Sequence, residues 1–239
     1  MKALTKYVTA LVLAGCAAGV RAADFELTCR RSERAFDYGE WAQAAALSQI
    51  AIDMRPDSAA LYARGIVAYD MMADTTAGVA LLENAMAHGV ALDDVVGAVR
   101  NEAFAIGHAD IYDSFLQRTR ARMPWMARAI DARRLDHYML RGDGERVVLL
   151  AGSMLEGLPG NVHYMSLLAR GYDMQGLTAR ADETRRRILE AEPDNVEALR
   201  ALGCSLLHQG HRAEARRLLE HAQRLAPTPY IEKLLNTSF

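Results

Sequence analysis

Lysine is all but missing from this chain. Once its first 22 residues are set aside, Lys233 is the one lysine left and every other basic residue is arginine. We read that as genomic bias rather than as chemistry. A basic excess is missing too. Removing Lys2, Lys6 and Arg21 from 28 basic residues leaves 25 against 30 acidic ones, a net −5 with histidine neutral. That balance excludes the positive footprint of a nucleic-acid binder. Cysteine is scarce, at three residues, and Cys16, Cys29 and Cys204 have no zinc-type spacing. No nucleophile elbow, phosphate loop or dinucleotide fingerprint occurs, so neither an enzyme nor a cofactor is expected. What is present is ordinary for a packed protein: 51% apolar and 24% charged residues, far from the disordered regime.

The start of the chain reads as an export leader. Met1 to Lys6 is basic, Tyr7 to Gly15 is apolar but too short to span a bilayer, and small residues follow. Two cleavage points compete. Leu13-Ala14-Gly15-Cys16 resembles the bacterial lipobox, and Val20-Arg21-Ala22 before Ala23 resembles an ordinary signal-peptidase site. The lipobox reading is preferred because the apolar stretch is short and ends at Cys16. It would lipidate Cys16 and attach the chain to a membrane. Either reading places the mature protein outside the cytosol, in the periplasm or at the outer membrane.

Proline, only six residues strong, punctuates the rest. Pro159, Pro193 and Pro227 are 34 residues apart, Pro124 lies 35 before Pro159, Val90 lies 34 before Pro124, and Pro56 lies 34 before Val90. A sustained period of this length marks a helical repeat array. The last unit reads VEALRALGCSLLHQGHRAEARRLLEHAQRLAP. Leu199, Leu202 and Leu206, spaced by three and four, form one apolar stripe on a first helix, A. Gly203 and Ala215 are small where a second helix, B, must approach. Gly210 turns the chain, and Pro227 ends helix B.

Leu199, Leu202, Gly203, Leu206, Ala215, Leu219, Ala222 and Pro227 fill the eight places that the tetratricopeptide repeat family uses for packing, and the unit resembles that family closely. The fifth unit repeats the pattern through Met165, Leu168, Ala169, Tyr172, Gly176, Ala181, Ile188 and Pro193, and departs from it at Arg185. The second (Tyr62, Tyr69, Leu82, Ala85) and first (Ala35, Gly39, Trp41, Ala44, Ala51, Pro56) are also clear. Units three and four are weaker, with an extra residue near Pro124-Trp125. Arg185, Arg186 and Arg187 are expected on a solvated face.

The expected fold is therefore all-α: a right-handed superhelical solenoid of about six such hairpins. The divisions are a signal peptide over 1–23, repeats over roughly 25–58, 59–92, 93–127, 128–161, 162–195 and 196–228, and a capping helix over 229–239. In that helix Thr228 is the N-cap, Pro229 sits in the first turn, and Ile231, Leu234 and Leu235 cover the open end. At about 10 Å per repeat, Cys29 and Cys204 would lie ~50 Å apart, which excludes a bridge between them. Two unpaired thiols, or an intermolecular link through an exposed Cys29, are expected.

In the family, the concave face built from the A helices holds a peptide or helix of a partner. Groove candidates in the second half of helix A are Glu33, Phe36 and Asp37; Val67, Asp70 and Met71; Asn101 and Phe104; Asp136, Met139 and Leu140; Arg170, Asp173 and Met174; and Leu207 and His208. Apolar side chains beside carboxylates suit a partner with apolar and basic residues. The alternative for each aromatic or Met is plain packing between helices. A carboxylate clamp of the family's kind is not assembled, because its first position holds Cys29, Ala63, Gly97, Ala132, Ser166 and Arg200 in turn. His208, His211 and His221 fall on different parts of the last hairpin and are not expected to bind metal. Arg141-Gly142-Asp143 is read as a turn rather than an adhesion motif. The expected function is protein recognition in a bacterial cell envelope, with no catalysis. Alternatives are a pilotin-like assembly factor for a pilus or secretion complex, a small-ligand or metal-binding repeat protein, and self-association through the ends of the stack.

Overall fold

The computed structural model describes residues 24–238; the segment expected to be an export leader, both expected cleavage points and Cys16 lie outside the described residues. Every regular element described is helical. In chain order these are α1 (24–37), α2 (Trp41–Met54), α3 (Ala59–Met71), α4 (Thr75–Ala87), α5 (Leu92–Ala105), α6 (Ala109–Arg122), a 3-10 turn (Pro124–Met126), α7 (Ala127–Arg141), α8 (Gly144–Gly157), α9 (Val162–Met174), α10 (Thr178–Ala191), α11 (Val196–His208), α12 (Arg212–Leu225) and α13 (Pro229–Thr237). Odd-numbered helices up to α11 are the A helices and even-numbered ones the B helices. The B helices begin at Trp41, Thr75, Ala109, Gly144, Thr178 and Arg212. Successive starts differ by 34, 34, 35, 34 and 34, and the 35-residue interval is the one that holds the 3-10 turn.

Local chemistry sets these boundaries. Five B helices end two residues before a proline: Met54 before Pro56, Arg122 before Pro124, Gly157 before Pro159, Ala191 before Pro193 and Leu225 before Pro227. The residue between is Arg55, Met123, Leu158, Glu192 or Ala226, and each has left the helical region, with φ from −122° to −150° and ψ from 68° to 98°. Proline forces this, because its ring clashes with a helical predecessor. Where the repeat has Val90 instead, α4 stops differently, through Gly89 at φ +80°. Side-chain caps start several helices. Asn161 Oδ1 accepts from the Tyr164 N–H and Asn195 Oδ1 from the Ala198 N–H, both at 3.0 Å, and Thr228 caps α13 with Pro229 in the first turn.

The turn inside each hairpin also recurs. Gly39, Ala73, Gly107, Gly142, Gly176 and Gly210 all have positive φ, between 61° and 83°. Glycine tolerates that region freely; Ala73 occupies it against its preference. Gly142 is thus the turn residue of its hairpin, and the Arg-Gly-Asp triplet is explained by backbone geometry.

The described residues fall into two compact units divided at Ile130, within α7. In the first, α3 is the centre, packed against α2, α4 and α5. From Leu61 to Ala68 only Arg64 escapes full burial. Tyr62, Ile66, Leu82, Phe115 and Leu116 are closed off from solvent, together with Ile52, Val95 and Val99. Tyr62 keeps its hydroxyl satisfied by donating to Asn84 Oδ1 at 2.9 Å. Gly65 lets α4 approach closely: an added Cβ would stand 2.8 Å from Leu81 Cδ1, and that leucine would have to shift.

In the second unit successive helices pack in chain order from α8 to α13. Leu135, Tyr138, Val147, Ala151 and Leu167 form one apolar cluster, Met165, Ile188 and Ala198 another, and Leu202, Leu206 and Ala215 a third. Gly203 meets α12 so closely that an added Cβ would lie 2.8 Å from Leu219 Cγ. Ile231 is buried, with Leu234 and Leu235 half-covered beside it, so α13 caps α12. Cys29 and Cys204 are free thiols, and both are half-buried. Cys29 therefore offers less than the open thiol expected, and burial raises its pKa away from the reactive thiolate.

One expectation fails in this unit. Arg185 does not lie on a solvated face with Arg186 and Arg187: it is 7% exposed, while its two neighbours are open. Its guanidinium pairs with Asp173 from α9 and, at 3.3 Å, with Asp182 on its own helix. Asp182 in turn accepts from Ser205 at 2.8 Å and Gln209 at 2.7 Å on α11. A charge at the usual apolar position is accommodated because α9, α10 and α11 each supply a partner.

Candidate functional site

On the first unit, an ion pair links two successive A helices. Arg64 on α3 pairs with Glu102 on α5 at 3.6 Å, with side chains 12% and 22% exposed. Burial chiefly pushes the Glu102 carboxyl up; Arg64 opposes the shift, while the fields of Asp37 and Glu33 add to it. Glu33, Asp37 and Glu102 therefore share the A-helix face around Arg64. Asn101 and Phe104 are exposed on α5, Phe104 by 47%.

Three other candidates of this unit are used internally. Phe36 is 3% exposed and meets the Trp41 ring edge-on at 5.3 Å between centroids, so it is core. Val67 is fully buried, and Met71 packs against the same cluster. Asp70 points to the B-helix layer: both its oxygens accept from Arg118 of α6 at 2.6 Å, and its side chain is 4% exposed. Desolvation outweighs the Arg118 attraction and raises the Asp70 carboxyl to about 6.

On the second unit, Asp136 is exposed beside Arg133 at 3.6 Å, Met139 packs on the Leu135 cluster, and Leu140 is open. Asp173 is taken up by Arg185, and Met174 lies over Gly144, where a Cβ would come within 2.7 Å of its own Cβ. Leu207 is half-buried. His208 is exposed, and its Nδ1 lies 2.7 Å from the Cys204 carbonyl, placing the ring's N–H there.

Arg170 on α9 remains exposed, and so does Arg200 on α11. Both line a cleft of about 690 Å³ with Glu197, Cys204 and Tyr230. That cleft continues, through the shared residues Arg170, Glu197 and Ala201, into a narrower one of about 220 Å³ floored by Ala169, Ala198 and Ala201. The second continues through Asp173 and Arg185 to His208 and Gln209. Small side chains along facing helices open this trough. Of the residues expected to form a groove, the structure thus brings Arg170, Asp173 and His208 along one depression. Arg200, Glu197 and Tyr230 were missed as binding candidates. Arg200 lies in the first half of helix A, whereas the expected groove positions lie in the second half, and Tyr230 belongs to the capping helix. Among the described residues no group of three His, Cys, Asp or Glu could hold a metal ion.

No protein-family model matches the sequence, and no curated protein matches it. Solved structures of similar shape include the C-terminal part of a TPR repeat-containing protein from Cytophaga hutchinsonii, with 13% identity over 82% of this chain and 78% of that one, TM-score 0.48. The TPR2AB domain of yeast Sti1 in its pHSP90 complex has 11% identity over 91% and 99%, TM-score 0.41. MamA from MSR-1 has 19% identity over 70% and 95%, TM-score 0.46.

Proposed function

We propose that the chain is a non-catalytic adaptor of the bacterial cell envelope that receives a peptide or helix of a partner protein on its A-helix faces. The observation that carries this reading is the open trough between α9 and α11, where small residues part the helices and polar side chains remain available. Ion pairs elsewhere hold helices together, as Asp70 with Arg118 does. Among the described residues Arg170 and Arg200 make no such pair, and both side chains are exposed at the cleft. Envelope location rests on the leader, and membrane attachment on Cys16. Among the described residues no helix is long and apolar enough to cross a membrane.

Affinity capture from envelope fractions tests the reading, comparing the wild-type chain with one carrying Asp37→Ala, Phe104→Ala, Arg170→Ala and His208→Ala. These residues are exposed, so helicity should be unchanged while a captured partner is lost. A partner retained in full by the folded variant would sink the proposal. Mass spectrometry of the mature N-terminus distinguishes a lipidated Cys16 from Ala23.

A further inference from the structure

The second unit's cleft is defined as much by its charge as by its shape. Two guanidinium groups, those of Arg170 and Arg200, enter it from successive A helices, and among the described residues neither forms an ion pair. Glu197 is the one carboxylate on the same wall, which leaves the cleft with a net charge of +1. The carboxylates that could have neutralised it are engaged elsewhere: Asp173 by Arg185, Asp182 by Arg185, Ser205 and Gln209. The exposed ring of Tyr230 forms the far edge.

Resting on the reading of the A-helix faces as partner-binding, we propose that the cleft between α9, α11 and α13 receives an acidic peptide segment, whose side-chain carboxylates bond to Arg170 and Arg200. Guanidinium offers a planar pair of N–H donors that matches a carboxylate, so two of them in one cleft select anionic side chains over neutral ones. Tyr230 supplies a flat apolar wall for the segment's aliphatic portions. A through-running segment, rather than a chain end, fits the shape: the cleft opens onto a continuous trough that reaches His208 and Gln209, longer than a single terminal carboxylate occupies.

The test is fluorescence anisotropy on the purified full chain with three labelled twelve-residue peptides. Their sequences are identical, alternating Leu and Ala with four positions set to Glu, Gln or Arg, and all are amidated at the C-terminus. The Glu peptide should bind most tightly and weaken with added salt. Arg170→Ala and Arg200→Ala should each weaken it about five- to tenfold, as expected for charge-assisted hydrogen bonds at a partly open site, with Arg→Lys restoring part of the loss. Gln43→Ala, exposed on the B helix α2 of the first unit, should change nothing. Circular dichroism of each variant confirms that the helices persist. Binding of the Glu peptide that survives the double Arg variant overturns the proposal. So does preference for the Gln or Arg peptide, which would leave groove recognition itself standing; failure of all three peptides would remove both. A free-acid version of the Gln peptide that binds as well as the amidated Glu peptide would reassign the cleft to a chain terminus. Arg170- and Arg200-dependent binding to phosphatidylglycerol vesicles, without binding to the Glu peptide, would reassign it to a lipid surface.

Discussion

Ala73 sits where five of the six hairpin turns have glycine, at φ +61°, and replacing it with glycine should stabilise the first unit. An alanine in the left-handed region costs about 1–2 kcal/mol from the approach of its Cβ to the backbone. Glycine removes that cost but gives the unfolded chain more freedom, which takes back about 0.4–1 kcal/mol. The net expectation for Ala73→Gly is a gain of about 0.5–1 kcal/mol. The reverse change, Gly107→Ala, should lose a similar amount, and that loss is purely conformational because a Cβ there meets nothing within 4 Å. Urea unfolding followed by tryptophan fluorescence is the suitable assay. The chain has two tryptophans, Trp41 and Trp125, and both belong to the first unit. The midpoint should rise for Ala73→Gly and fall for Gly107→Ala, with the slope unchanged. A lower midpoint for Ala73→Gly would show that the turn does not hold Ala73 in a strained conformation.

Three further perturbations follow from buried contacts. Gly203→Ala should destabilise by about 1–3 kcal/mol, since the new methyl must displace the Leu219 side chain, and a drop in thermal midpoint by circular dichroism measures it. Arg185→Ala should cost about 3 kcal/mol by leaving the 6%-exposed Asp182 without its cation; stability equal to wild type would mean that Ser205 and Gln209 suffice. Asp70 has a folded-state pKa of about 6, above its usual 3.8, so the native state takes up a proton before the unfolded chain does. Its contribution to stability should therefore grow as pH falls from about 7 to 4, by an amount on the order of 3 kcal/mol. Asp70→Asn should remove that slope from urea midpoints measured across the range, and a slope identical to wild type would contradict the assignment.

The helix plan was legible because it rests on local rules that repeat. A proline two residues past each of five B helices, a glycine in five of six hairpin turns, and Leu199, Leu202 and Leu206 at helical spacing are each sufficient without knowledge of distant contacts. The binding face was less legible. The groove candidates are two or three residues within a window of up to five positions in the second half of each A helix. Each step along a helix turns the side chain by about 100°, so that window necessarily included core positions such as Phe36 and Val67 beside open ones such as Asp37.

Charge was the least readable property of all. Asp70, Asp173 and Arg170 look alike in sequence as polar residues late in helix A. Tertiary structure decided which were available: Arg118, 48 residues beyond Asp70, captures it, and Arg185 captures Asp173, while Arg170 is left open to the cleft. The sequence by itself determined where helices begin, turn and stop, because those events are governed by residues a few positions apart. Only the packed chain determined the sign of the exposed charge, because that depends on which ions are neutralised by partners brought close from distant helices.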